Sequence, residues 1–206
     1  MRLFKYNMQF NMKFRLFVLI VIIAFLGCSE KYTPKPRGYF RIDFPQKKYH
    51  PMQKNLPYHF EIPDYAQILP DRLNPDHPDW INVWDPKNKA EVHISYYSLD
   101  KNRQKGKKEL SEFIEESRRL AYKHTVKADA INEQIYINPV NKVYGTVYKI
   151  EGNAASPMQF YLTDSTRNFL RGAFYIREVP NIDSLKPVIN FIEPDIIHMI
   201  ETTTWN

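Results

Sequence analysis

Hydrophobic and polar residues alternate along much of the second half of the chain, which is the pattern of half-buried β-strands. Four segments show this pattern in close succession, and their connections contain Asn, Asp, Gly and Pro, which are ordinary turn residues. We therefore predict an antiparallel meander. Its strands are residues 131–138, 142–150, 158–163 and 168–176.

The first half of the chain is also mainly β by the same criterion. A stretch rich in Pro, Asp and Asn over residues 63–79 predicts a long irregular loop between strands. The predicted strands are residues 39–44, 58–62, 80–84 and 91–97, of which the last two form a hairpin.

One helix interrupts these strands, because apolar residues around Phe113 and Ile114 recur at helical spacing. Glu109 and Glu112 are expected in its first turn, where carboxylates suit the helix dipole. The preceding residues 101–108 carry five positive charges and no apolar side chain. This run predicts a solvated loop, with contact to acidic headgroups or to an acidic partner as the alternative.

A second helix is predicted over residues 185–200, with Asp183 or Ser184 as its N-cap. Pro194 lies inside this segment and is expected to kink or break the helix. The order strands, helix, meander, helix predicts an α+β fold in which helices flank an antiparallel sheet. The predicted core residues are Phe40, Ile42, Phe60, Phe113, Ile114, Val147, Phe160, Leu162, Val188 and Ile192.

The N-terminal segment is apolar without a helical stripe. Residues 16–26 are uncharged and follow two basic residues, which is typical of a secretory signal peptide and too short for a bilayer span of roughly 20 residues. Gly27 then precedes Cys28, the only cysteine, in the layout of a lipobox. We predict cleavage before Cys28 and its acylation, for example with palmitate. The alternative is a buried helix with a core cysteine, and either Met1 or Met12 could be the start.

These features predict three parts of the chain: a signal peptide over 1–27, a lipidated tether with two prolines over 28–38, and one globular domain over 39–206. The full chain has a formal net charge of +6. Removing the signal peptide leaves 25 basic against 23 acidic residues, a net charge of about +2. Basicity therefore gives no reason to expect a nucleic-acid partner.

No catalytic, cofactor or metal motif is present in the sequence, so we predict no enzymatic activity, no cofactor and no metal. The segment 71–85 is rich in Asp and Asn and could bind a divalent cation. Because these are ordinary turn residues, a structural loop is the favoured interpretation. Trp80 and Trp84 of this segment are predicted to be core residues rather than exposed anchors. The candidate interaction residues of this loop are His77, Asp79, Trp80 and Trp84.

Several segments resemble one family. Cys28 and its lipobox, the stretch 32–42 directly after it, and the meander from 142–145 to 168–172 are similar to the gliding-motility lipoprotein GldD family of Bacteroidota. The resemblance implies a cell-envelope lipoprotein that is required for gliding and linked to type IX secretion, without known catalytic residues. The element order also resembles the Mog1/PsbP type of α-β-α sandwich, which implies nothing about function.

We therefore expect a non-catalytic accessory protein that is lipid-anchored, on the periplasmic face of the outer membrane, and that binds other gliding and type IX secretion proteins. The alternative is a periplasmic binder of small ligands or of peptidoglycan, or a cryptic enzyme. A deep pocket with convergent polar groups would favour the alternative, whereas a shallow apolar patch would favour the accessory role.

Overall fold

A computed structural model describes residues 14–17, 19, 42–99, 103–179 and 181–206, with side chains from residue 109 onward in the helix that starts at 103. The chain divides into two units, residues 1–40 and 41–206. In the first unit the described residues are helical and exposed. No helix within the described ranges is long and apolar enough to cross a membrane. Cys28, the tether and Phe40 lie outside these ranges.

The second unit contains a seven-stranded antiparallel sheet. Its strands are β4 (Gln67–Pro70), β5 (Ile81–Asp85), β6 (Ala90–Ser98), β7 (Ala128–Asn138), β8 (Val143–Gly152), β9 (Met158–Thr163) and β10 (Asn168–Ile176), in the spatial order β4-β5-β6-β10-β9-β8-β7. This confirms the predicted hairpin and the predicted meander. Strand β10 pairs with β6 over the full length of both strands. This pairing joins the strands of the first half of the chain and the meander into one sheet.

The sheet lies between two helices, α1 (Arg103–Tyr122) and α2 (Ile182–Glu201). Neighbouring residues of a strand face opposite sides of a sheet. In β10, Phe169 stacks on Phe113 of α1, whereas Leu170 belongs to the core cluster that contains Ile192 of α2. The helices therefore cover opposite faces, and the predicted α+β fold with helices on an antiparallel sheet is confirmed.

Two short strand pairs accompany this sheet: β1 (Tyr49–Pro51) with β3 (Glu61–Pro63), and β2 (Tyr58–His59) with β11 (Thr204–Trp205). The predicted strand over 58–62 is thus divided at Phe60, because its two halves pair with different partners. The predicted loop over 63–79 is wrong at β4, which forms an edge of the sheet. Proline has no backbone N–H to donate. An edge strand tolerates Pro70 because no strand lies on its open side to require that hydrogen bond.

The predicted strand over 39–44 is wrong in its described part, because residues 42–48 have no regular structure. Phe44 stacks on Phe191 of α2, with 4.2 Å between ring centroids. The apolar residues of this segment therefore pack against a helix rather than pairing in a sheet. Ile42 is half-buried against the same core.

Both helices differ from prediction at their ends. Helix α1 begins at Arg103, so residues 103–108 are helical rather than a loop, and Glu109 and Glu112 lie beyond its first turn. Helix α2 has Asn181 as its N-cap and continues through Pro194 without a break. Pro194 is exposed, and so is Asn190, whose carbonyl loses its helical hydrogen bond. Water can bond that carbonyl, which makes the proline tolerable there.

Most of the predicted core is confirmed. Phe113 and Ile114 of α1 are only half-buried, so they lie at the border of the core and not inside it. The predicted core residues that are buried are Phe60, Val147, Phe160, Leu162, Val188 and Ile192.

Candidate functional site

A cleft of about 720 Å³ opens between the loop before β5, the end of β6 and the middle of α1. These three elements meet because Tyr97, near the end of β6, contacts both Trp80 of the loop and Phe113 of α1. The lining residues are Asp76, His77, Pro78, Asp79, Trp80, Tyr96, Tyr97, Ser98, Glu109, Glu112, Phe113 and Glu116.

Aromatic rings form one wall of the cleft. The imidazole of His77 stacks on the indole of Trp80, with 4.2 Å between centroids and 12° between planes. Trp80 meets Tyr97 edge-on at 5.4 Å, and Tyr97 contacts Phe113 at 4.5 Å. These four side chains form a continuous aromatic surface, which we call the aromatic wall. Clustered large rings of this kind are the usual anchors of binding interfaces.

Hydrogen bonds hold the aromatic wall in place. The indole Nε1 of Trp80 donates to the carbonyl oxygen of Tyr96 at 2.8 Å, and the buried Tyr58 hydroxyl donates to the carbonyl oxygen of Asp79 at 2.8 Å. The carboxylate of Asp71 accepts hydrogen bonds from the Leu73 amide at 2.9 Å and from Asn74 at 2.8 Å. These hydrogen bonds outweigh desolvation and lower the pKa of Asp71. The loop is therefore organised before any ligand arrives, which limits the entropy lost on binding.

Five carboxylates line the same cleft, and none of the described lining residues is Lys or Arg. The charges of these carboxylates also affect the pKa of two tyrosines, Tyr58 and Tyr97. Burial raises the pKa of Tyr58, and the charge of Asp79 raises it further. Burial also raises the pKa of Tyr97; Arg171 opposes this shift and Glu116 adds to it. Asp79 and Glu116 therefore act on tyrosines at or next to the cleft, and Arg171 acts on Tyr97 in the opposite sense.

The structure brings together three of the four residues predicted as an interaction loop. His77, Asp79 and Trp80 line the cleft, whereas Trp84 lies apart from it. The guanidinium of Arg177 lies 4.6 Å from the Trp84 ring and forms two hydrogen bonds, of 2.7 and 2.8 Å, with the buried carboxylate of Glu91. Both tryptophans are half-buried, so neither belongs fully to the core.

Sequence reasoning missed the contribution of α1 to the cleft. The signal was available, because Glu109, Glu112, Phe113 and Glu116 follow the helical spacing and therefore lie on one side of α1. What the local pattern could not show is that this side faces the loop before β5. Trp80 and Phe113 are 33 positions apart, and Tyr97 of β6 contacts both of them.

A second cluster of titratable groups surrounds Asp195 on α2. This carboxylate is 2% exposed and accepts hydrogen bonds from Lys47, Tyr49 and Tyr65. Burial and the bond to Asp195 raise the pKa of both tyrosines. The adjoining cavity measures about 20 Å³, which is room for one water molecule. We therefore assign this cluster a structural role, tying residues 42–65 to α2.

The edge of the sheet opposite β4 is the eleven-residue strand β7. Ile135 and Ile137 are 75% and 65% exposed on it, and Val140 in the following turn is 90% exposed. Asp129 and Glu133 lie in the same strand. Their charges disfavour pairing of this edge with a second copy of itself.

Among the described residues, no three His, Cys, Asp or Glu side chains converge in a way that could hold a metal ion. The carboxylates of the cleft are therefore spread along its walls.

A family model described as gliding motility lipoprotein GldD matches residues 29–205. The chain belongs to this GldD family. The resemblance seen in the sequence is thereby confirmed, and membership makes the chain a lipid-anchored protein of the cell envelope. The match includes both the loop before β5 and α1, so the cleft lies inside the region that characterises GldD lipoproteins.

No curated protein matches the chain in a sequence search. Among solved structures, the chain is similar to the solution structure of the cyanobacterial PsbP (CyanoP) from Synechocystis, with 8% identity and a TM-score of 0.44. The similarity covers 79% of this chain and 95% of that protein.

Proposed function

We propose that the chain is a non-catalytic accessory protein of the gliding machinery, linked to type IX secretion and held at the periplasmic face of the outer membrane by acyl chains on Cys28. In this proposal its domain binds another envelope protein through the cleft. Family membership supports the gliding role. The binding role rests on the aromatic wall.

The observation that carries the proposal is an accessible, hydrogen-bonded set of aromatic rings at one end of the sheet. Trp80 and Tyr97 are half-buried and His77 is exposed, so ring surface remains available to a partner. Interface energy is concentrated in a few large anchors surrounded by near-neutral contacts. A rigid aromatic cleft with a polar rim therefore fits a protein-binding site.

The alternative function is binding of a small ligand or of peptidoglycan, which the polar groups of the same cleft favour. Catalysis would require one of these groups to be individually indispensable. A folded, lipidated Asp79→Asn variant that fails to glide while partner binding is intact would support catalysis or metal binding and contradict the accessory role.

The experiment that tests the proposal blocks the cleft from its rim. Ser98 is an exposed lining residue, so Ser98→Trp fills the opening from its rim. Asn190→Trp, at an exposed position of α2, is the matched control. In a strain that lacks the wild-type protein, we expect Ser98→Trp to accumulate normally but to lose gliding, while the control glides. Normal gliding of Ser98→Trp would overturn the cleft as the functional site.

A further inference from the structure

The cleft combines ring faces with negative charge, and two of its carboxylates have no side-chain partner among the described residues. Glu116 is engaged by Arg119 through bonds of 2.6 and 2.7 Å, and Glu109 and Glu112 take part in other interactions. Within the described part of the chain, the side chains of Asp76 and Asp79 have neither a hydrogen bond nor an ion pair. They lie on either side of His77 and Pro78, beside the aromatic wall.

We propose that this cleft binds the guanidinium group of an arginine, presented by an extended segment of a partner protein. The inference rests on the proposed function, since it specifies the chemistry of the partner at the same site. An arginine side chain would lie along Tyr97 and Phe113, with its positive end between Asp76 and Asp79.

Charge complementarity selects a cation as the occupant. Of the described lining residues, Asp76 and Asp79 carry negative charge without a side-chain partner, so this part of the cleft favours a cation over an anion. A metal ion is disfavoured because it needs several oxygen ligands at 2.0 to 2.6 Å from one point, at about six positions. The carboxylates here do not converge in that way.

The aromatic wall distinguishes an organic cation from a sugar. A sugar ring needs a free aromatic face on which to stack, and His77 already covers one face of Trp80. The rings of Tyr97 and Phe113 meet at 36°, which leaves a bent surface rather than a flat platform. A cation over a ring needs only the ring centre within about 6 Å, so a bent wall can still attract it.

Arginine fits better than lysine for geometric reasons. Its guanidinium is planar, stacks on rings and donates paired hydrogen bonds to carboxylates, whereas the lysine ammonium is a compact, strongly hydrated charge. The volume of about 720 Å³ exceeds one side chain and accommodates flanking residues as well. The occupant is therefore a segment of chain rather than an isolated side chain.

The test uses the full-length lipidated protein in a non-ionic detergent and a set of synthetic peptides. Each peptide is an uncharged Gly-Ser sequence with one central residue, which is arginine, lysine, citrulline or glutamate. Citrulline is the critical comparison, because it keeps the shape of arginine without the charge. Binding is measured by titration calorimetry at low and high salt.

We expect the arginine peptide to bind, the lysine peptide to bind more weakly, and the citrulline and glutamate peptides not to bind. The double variant Asp76→Asn/Asp79→Asn should weaken arginine binding by about tenfold, since it removes two charge-assisted contacts. The control Asp129→Asn/Glu201→Gln removes two exposed carboxylates outside the cleft and should leave binding unchanged. Added salt should weaken binding because the site is exposed to solvent.

Equal affinity for arginine and citrulline, or no binding of the arginine peptide at about 1 mM, would overturn the inference. Binding of a peptidoglycan fragment that the Ser98→Trp variant blocks, without arginine binding, would also overturn the inference.

The gliding assay distinguishes failure of this inference from failure of the proposed function. If Ser98→Trp abolishes gliding while the arginine peptide fails to bind, the cleft is functional and its occupant is not cationic. If the peptide binds but Ser98→Trp glides, the proposed function fails.

Discussion

The hydroxyl of Tyr49 donates a hydrogen bond of 2.6 Å to the buried carboxylate of Asp195, although the two residues are 146 positions apart. Lys47 donates to the same oxygen, and Tyr65 donates to the other one. One buried carboxylate thus holds three donors from the first part of the domain against α2. The segment 42–48, which has no strand or helix of its own, depends on this contact and on Phe44 for its position.

Replacing Asp195 with Ala should lower the free energy of unfolding by about 1 to 3 kcal/mol, because it leaves the hydroxyls of Tyr49 and Tyr65 without their acceptor, while Lys47 keeps its hydrogen bond to the carbonyl oxygen of Phe191. The control is Glu193→Gln on the same helix, whose pair with Lys149 is more exposed and should contribute less than about 1 kcal/mol. Urea unfolding of a soluble form without residues 1–28 measures both. Similar losses in the two variants would show that the Asp195 cluster is not structural.

A methyl group at Gly172 should clash with the sheet's own core. A Cβ atom there would lie 2.1 Å from Cζ and 2.2 Å from Cε1 of Phe160, its cross-strand neighbour. We expect Gly172→Ala to destabilise the domain by about 1 to 3 kcal/mol. The double variant Gly172→Ala/Phe160→Leu should lose less than the sum of the two single variants, since the smaller side chain makes room. Additive losses in denaturant unfolding would contradict this packing.

Asp164 should make stability depend on acid pH. Its carboxylate accepts hydrogen bonds from the amides of Thr166, Arg167 and Asn168, which outweigh desolvation and lower its pKa. Because the folded pKa is below the unfolded value of 3.8, the unfolded state binds more protons as the pH falls through this range. The contribution is therefore present above about pH 5 and is lost towards lower pH.

The measurement compares urea midpoints of wild type and Asp164→Asn at about pH 6, 4 and 3. The difference between the two proteins should be largest at the highest pH and should shrink as Asp164 becomes protonated. A difference that stays constant across this range would mean that the turn does not stabilise the charged form.

Cys28→Ala should abolish acylation, leave the protein uncleaved or released from the membrane, and stop gliding without unfolding the domain. The reason is that Cys28 precedes the unit that begins at Arg41, which has its own core. Metabolic labelling with an alkyne fatty acid measures the modification, and Ser29→Ala is the control that should remain labelled. Absence of label in the wild type would contradict the lipobox interpretation.

The sequence by itself determined the elements whose signal is local. Strands β7 to β10 follow from the alternation of hydrophobic and polar residues, because a shift by one residue would move every side chain to the opposite face of the sheet. Their turns follow from Asp and Asn residues that bond their own backbone, as Asp164 does. The family, too, was recognisable from linear stretches, and the structure was not needed for it.

Only the tertiary structure decided which segments meet. Phe44 looked like a strand residue, yet its ring packs on Phe191. Trp80 and Trp84 looked like one site, yet only Trp80 reaches the cleft. His77 and Phe113 line that cleft together because the rings of Trp80 and Tyr97 lie between them in a chain of contacts. Such contacts depend on burial and packing between distant segments, and periodicity along the chain reports only which side of an element is apolar.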